Sequence, residues 1–168
     1  ADTFRFDTTG SVVSINGGDN LVATDRDVLD YSQLDATEQP AVAVALTALA
    51  ADGTGDGTAT RSGTFTDIEG VTGRTVGTDT LTGPSTDVDA TAANPDYNWT
   101  VTAANGGNLQ RATGATGNFA FTEVENLVGG GQNDTFRFDT TVGGVASING
   151  GGEQAAGRDV LDYSLLDA

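Results

Sequence analysis

The octapeptide Asp2-Thr3-Phe4-Arg5-Phe6-Asp7-Thr8-Thr9 occurs twice without change, returning as Asp134 to Thr141, 134 − 2 = 132 residues later. Ser14-Ile15-Asn16-Gly17-Gly18 returns at Ser147 to Gly151, and Arg26-Asp27-Val28-Leu29-Asp30-Tyr31-Ser32 returns as Arg158 to Ser164. Leu34-Asp35-Ala36 is matched by Leu166-Asp167-Ala168. The chain therefore reads as a single continuous unit: one 132-residue repeat (2–133) followed by the first 35 residues of the next (134–168). Self-similarity of this kind is the signature of architectures in which each unit leaves an apolar face for its neighbour to cover.

A weaker repeat lies inside the first. Phe65-Thr66-Asp67-Ile68-Glu69-Gly70-Val71 parallels Phe121-Thr122-Glu123-Val124-Glu125-Asn126-Leu127. Each string leads through a Gly-rich turn into Asp79-Thr80-Leu81 or Asp134-Thr135-Phe136. Sub-units thus begin near Phe65 and Phe121. If the copies stack, Phe65 falls over Phe121, Ile68 over Val124, Val71 over Leu127 and Leu81 over Phe136.

Alternation of apolar and polar residues between Gly and Asn-Gly punctuation predicts short strands. They fall at Thr3–Asp7, Val12–Ile15, Val28–Tyr31, Ala41–Leu46, Thr58–Thr66, Asn98–Ala103, Leu109–Ala112, Phe119–Phe121 and Val124–Val128. Thr135–Phe138, Val145–Ile148 and Val160–Tyr163 repeat the opening ones. Pro40–Asp52 also admits a helix, although alternating Val42, Val44 and Leu46 lean towards a strand. Short strands cannot bury an apolar face alone, so the expected fold is all-β: a parallel β-solenoid (β-helix) of stacked short strands with Gly/Asn-rich corners. Asn and Gly suit such corners because both tolerate positive φ. An antiparallel β-sandwich repeat is the rival.

Composition narrows the function. The formal charge is −17 and all seven basic residues are arginine, so the surface repels nucleic acid and anionic lipid. It suits saline surroundings or divalent cations. No run of roughly 20 apolar residues is present to insert into a membrane. The chain has neither cysteine nor histidine, which removes disulfides, the commonest general base and the commonest transition-metal ligand. Starting at Ala1 and lacking methionine, it reads as cut from something longer.

Gly129-Gly130-Gly131-Gln132-Asn133-Asp134-Thr135-Phe136 resembles the nonapeptide of calcium-binding RTX repeats, and Gly77-Thr78-Asp79-Thr80-Leu81 resembles its second half. The resemblance implies Ca²⁺ held between turns by glycine-loop carbonyls and an Asp carboxylate, with Asp134, Asp79, Asp2, Asp159 and Asp27 as metal candidates. Hard oxygen ligands match the residues available. Gln132 departs from the expected Gly, and the motif never runs as consecutive nonapeptides. The alternative is that these aspartates cap turns by accepting backbone N–H bonds.

Phe121–Gly130, Asn133-Asp134-Thr135-Phe136, Ile148-Asn149-Gly150-Gly151, Asp159–Ser164 and the Tyr97–Thr102 segment together resemble the tandem repeats of giant bacterial haemagglutinin-like surface proteins. That resemblance implies a secreted or cell-surface location and a non-catalytic structural or adhesive role. Its partners would be neighbouring repeats of the parent chain and surface polysaccharide. Two further functions stay open. A carbohydrate- or ice-binding module would use Thr-rich segments such as Thr64-Phe65-Thr66, or Tyr97 and Trp99 as a sugar platform. A polysaccharide-active enzyme would need an acid pair, for which Glu123 and Glu125 are nearest. Glu69 repeats Glu125 and Asp67 repeats Glu123, which makes that pair part of the scaffold pattern.

Overall fold

The computed structural model describes residues 1–7, 9–20, 24–35, 41–85, 96–139, 143–152 and 157–166. These form fifteen strands and no helix, so no described helix is long and apolar enough to cross a membrane. In chain order the strands are β1 (Thr3–Arg5), β2 (Ser14–Asn16), β3 (Val28–Asp30), β4 (Ala43–Leu49) and β5 (Gly55–Ala59). Then come β6 (Gly63–Ile68), β7 (Gly70–Thr72), β8 (Thr80–Thr82), β9 (Tyr97–Ala103) and β10 (Gly106–Arg111). The last are β11 (Phe119–Thr122), β12 (Asn126–Val128), β13 (Asp134–Phe138), β14 (Ser147–Asn149) and β15 (Val160–Asp162).

Two mixed sheets result. The first has the order β1-β3-β7-β11-β10-β9-β13-β15 and the second β14-β12-β8-β4-β5-β6-β2. Single strands alternate between the sheets and pair in parallel with strands distant in sequence, as in Phe4↔Leu29↔Val71↔Phe121 across β1, β3, β7 and β11. The alternation is interrupted twice by an antiparallel three-stranded meander: β4–β6 in the second sheet and β9–β11 in the first. The expected all-parallel pairing therefore holds outside the meanders and fails within them. The stretch expected as one strand over Thr58–Thr66 is in fact the β5–β6 hairpin, turned where Arg61 takes φ 67° and Gly63 φ 61°. Pro40–Asp52 contains the strand β4, which settles its helix alternative; Pro40 itself lies outside the described residues.

The two sheets enclose one hydrophobic core containing Leu29, Leu49, Phe65, Leu81, Trp99, Phe121, Leu127 and Phe136. Phe65 and Phe121 share that interior but not a column. Phe65 lies on β6 of the second sheet opposite Ile15, while Phe121 lies on β11 of the first opposite Val71. Val71 and Leu127, and Leu81 and Phe136, are divided between the sheets in the same way. The reason is the odd number of sheet crossings between one sub-unit and the next: β6 to β7, β7 to β8, and β8 to β9.

Each meander packs an aromatic ring over a glycine. Gly57 pairs with Phe65, and Gly107 with Phe121. A Cβ on Gly57 would lie 2.2 Å from the Ala45 carbonyl oxygen and 2.8 Å from the Phe65 ring. On Gly107 it would lie 2.0 Å from the Thr100 oxygen and 2.9 Å from Phe121. A side chain is excluded at both places, and the ring supplies the apolar cover that the glycine lacks.

Candidate functional site

The five aspartates singled out by sequence stand at the starts of strands β1, β3, β8, β13 and β15. Glu69 and Glu125 occupy the same place before β7 and β12. Where these strands pair in parallel, an acid reaches across to a backbone amide of its neighbour. The Asp2 amide donates to Asp27 Oδ1, and the Asp27 amide to Glu69 Oε2 at 2.6 Å. In the other sheet the Val42 amide donates to Asp79 Oδ1 at 2.9 Å, and the Asp79 amide to Glu125 Oε2 at 2.7 Å. Further along the first sheet, the Asp134 amide donates to Asp159 Oδ1 at 3.0 Å.

The second oxygen of two of these carboxylates turns back into its own glycine turn. Asp79 Oδ2 accepts from the Arg74 amide at 2.6 Å, and Asp134 Oδ2 from the Gly130 amide at 2.8 Å. One side chain thus caps a turn and pins the adjacent strand, satisfying donors that a tight corner would otherwise orphan.

The charge of each acid is handled locally. Asp79 is buried beneath Arg74, whose Nη2 and Nε stand 2.8 and 2.9 Å from Asp79 Oδ1. Asp134 has no such arginine; Gly130 takes the place of Arg74, and Trp99 Nε1 donates to Asp134 Oδ1 at 2.8 Å. Burial therefore pushes the Asp134 carboxyl up to about 6, against the lowering effect of the Trp99 and Gly130 bonds and with the help of nearby Asp159 and Asp96. Burial likewise raises Glu69, and the charges of Asp27 and Asp52 add to this, opposing the bond from the Asp27 amide. The opposite case is Asp162, held down at about 2 by bonds from Ser164 and from Arg137.

A calcium ion takes six to eight oxygens, and the five aspartates are not gathered around one position to supply them. They lie in three separate rows, and Asp27, Asp79, Asp134 and Asp159 each accept a backbone amide on at least one carboxylate oxygen. Among the described residues no three His, Cys, Asp or Glu side chains are grouped to hold a metal. The acid pair Glu123 and Glu125 is no better placed for acid–base work. Glu123 sits in a left-handed turn at φ 52°, as Asp67 does at 55°. Glu125 has both oxygens occupied, one by the Asp79 amide and one by Asn105 Nδ2 at 3.0 Å.

Tyr97 and Trp99, the candidate sugar platform, are fully buried, and the Trp99 ring stacks on Phe136 at 5.4 Å. The threonines of the second sheet share a row with other residues, Ser14-Thr64-Thr58-Ala45-Thr82-Val128-Asn149, in which Ala45 and Val128 break the ladder.

One cleft escaped the sequence reading. It has a volume of about 280 Å³, opens beside the β4–β5 turn and is lined by Asp25, Arg26, Asp52, Glu69 and Asn118. Arg26 crosses it to donate to Asn118 Oδ1 at 2.8 Å. Arg26 and Asn118 are 92 positions apart in sequence, so no local motif announced the cleft. No protein-family model, no curated protein and no solved structure matches the chain.

Proposed function

We propose that this chain is a non-catalytic structural repeat of a β-solenoid type, one that lengthens a large secreted or cell-surface protein by continuing into further copies of itself. One observation carries the reading: the two near-identical segments occupy opposite ends of both sheets. β1 and β15 are the outer strands of the first sheet, and β2 and β14 those of the second. A module built to be continued needs matching ends, whereas an isolated domain gains nothing from them. The buried polar groups support the same reading, since their hydrogen bonds tie strand to strand and corner to corner. Adhesion would then reside in the length and acidic surface of the array.

The test is a longer chain in which residues 37–168 follow Ala168. It is expected to unfold in one transition at a higher temperature than the single chain, with Tyr163 becoming protected from solvent. Two independent transitions, with Tyr163 still exposed, would refute continuation.

A further inference from the structure

The same sequence meets two environments at the two ends of the molecule. Val28-Leu29-Asp30-Tyr31 forms β3 and its exit, covered by β7; Val160-Leu161-Asp162-Tyr163 forms β15 and its exit, at the open edge of the same sheet. Leu29 and Tyr31 are wholly buried, but Leu161 and Tyr163 are 52% and 53% exposed. A hollow of about 140 Å³, lined by Phe136, Ile148, Gly150, Asp159, Val160 and Leu161, opens there.

The exposed copy is nevertheless already in its covered shape. Phe138 stacks on Tyr163 at 4.8 Å as Phe6 stacks on Tyr31 at 4.5 Å. Arg137 Nε meets Asp162 Oδ2 at 2.9 Å as Arg5 Nε meets Asp30 Oδ2 at 2.8 Å. The Ser164 amide caps Asp162 as the Ser32 amide caps Asp30, both at 2.9 Å. What the tail lacks is what the head receives from β6 and β7. These contacts include the Asp27 amide on Glu69 Oε2, the Tyr31 amide on the Thr72 carbonyl at 2.8 Å, and the Gly17 amide on the Thr66 carbonyl at 3.0 Å.

We infer that β14 and β15 form a docking surface for β6 and β7 of a second copy of this chain, entered by strand exchange. The tail of one copy displaces residues 1–35 of the next and takes the register that β2 and β3 hold. Ile148 then opposes Phe65, Leu161 opposes Val71 and Asp162 opposes Thr72 of the second copy, as Ile15, Leu29 and Asp30 do within one chain. The incoming β14 and β15 have the same sequences as the displaced β2 and β3, so every ladder bond lost to β6 and β7 is regained. The acceptor gives up the β1–β3 pairing and the head's own side-chain contacts, among them Arg61 to the Asp7 and Gly10 carbonyls and Arg26 to Asn118, while the open edge of the donor is covered. Each acceptor still offers its own tail, so exchange propagates head to tail. The inference rests on the continuation proposed above, with the continuing unit supplied by a separate molecule.

The chain has no cysteine, so an engineered pair reports the junction cleanly. In one molecule β7 and β15 stand five places apart in their sheet, roughly 24 Å at about 4.8 Å per strand, too far for a disulfide. The full chain carrying Asp162→Cys and Thr72→Cys, concentrated and mildly oxidised, is expected to give a ladder of covalent dimers, trimers and longer forms. Asp30→Cys with Thr72→Cys is the control, closing within one chain. Adding Leu161→Asp to the first pair is expected to abolish the ladder while leaving the melting temperature of the monomer within about a degree. Absence of intermolecular links when the control closes overturns the inference, and so does a ladder that survives Leu161→Asp. If the lengthened chain buries Tyr163 but the 168-residue chain never links, exchange is refuted and continuation stands.

Discussion

The β4–β6 and β9–β11 meanders are built alike and placed in opposite sheets. Both set a phenylalanine over a glycine, follow it with an acidic residue in the left-handed region, and end on a glutamate that takes an amide from the neighbouring strand. They differ in their first turns. The β9–β10 turn is short, pairing Ala103 with Gly106, and its Asn105 reaches Glu125 Oε1. The β4–β5 turn is longer, pairing Leu49 with Gly55. It sets Asp52 by the cleft that Glu69 lines, where Glu69 Oε1 has no geometrically formed hydrogen bond among the described residues and faces Asn20. The acid at the strand start is thus a fixture of the scaffold. How well its second oxygen is served depends on the loop that happens to face it.

That equivalence can be broken most severely at the glycines. Gly57→Ala and Gly107→Ala each drive a methyl group into a carbonyl oxygen, at 2.2 and 2.0 Å. Each is expected to cost about 4–5 kcal/mol, with the two values alike in urea unfolding. Tolerance of one but not the other would mean that the meanders are unequal in energy despite equal geometry.

A smaller effect separates the two corner aspartates. Arg74→Met strands the Asp79 carboxylate in a buried site and should cost about 3–5 kcal/mol in the same assay. No comparable partner exists to remove at Asp134, whose answer to missing charge is protonation. Its folded-state value, raised to about 6 from 3.8, means the protonated carboxyl is the better fit. The associated stability is complete below about pH 4 and is lost as pH rises through about 6, for a total of about 3 kcal/mol. Unfolding measured from pH 4 to 7.5 should show this decline, and Asp134→Asn should flatten it.

Much of this architecture was legible in the residues. The repeated Asp-x-Phe/Leu strings mark strand starts, and the alternation in Tyr97–Ala103 and Asp134–Phe138 marks strands with one buried face, while in Thr3–Arg5 it leaves Phe4 half-buried. The turn-capping alternative for the aspartates was also open to reading, because Asp beside Gly turns has a local chemistry. Other features were not. Within Thr58–Thr66, Thr60-Arg61-Ser62 carries no glycine before Gly63, so alternation ran straight through a reversal made by Arg61 at positive φ. Strands β7 and β8 each carry a single apolar residue, Val71 or Leu81, so no alternation marks them, and they owe their form to parallel neighbours on both sides. The crossing of equivalent residues to opposite sheets depends on counting strands that the sequence does not separately announce.

That crossing has a mechanical consequence. A meander adds three strands to one sheet where the other gains fewer, and a stack always thickened on the same side would bow like a bimetal strip. Here the thickening alternates: from β3 to β14, one full period, each sheet receives six strands. At about 4.8 Å per strand, both sides would grow by roughly 29 Å per period, and units joined in series would run straight.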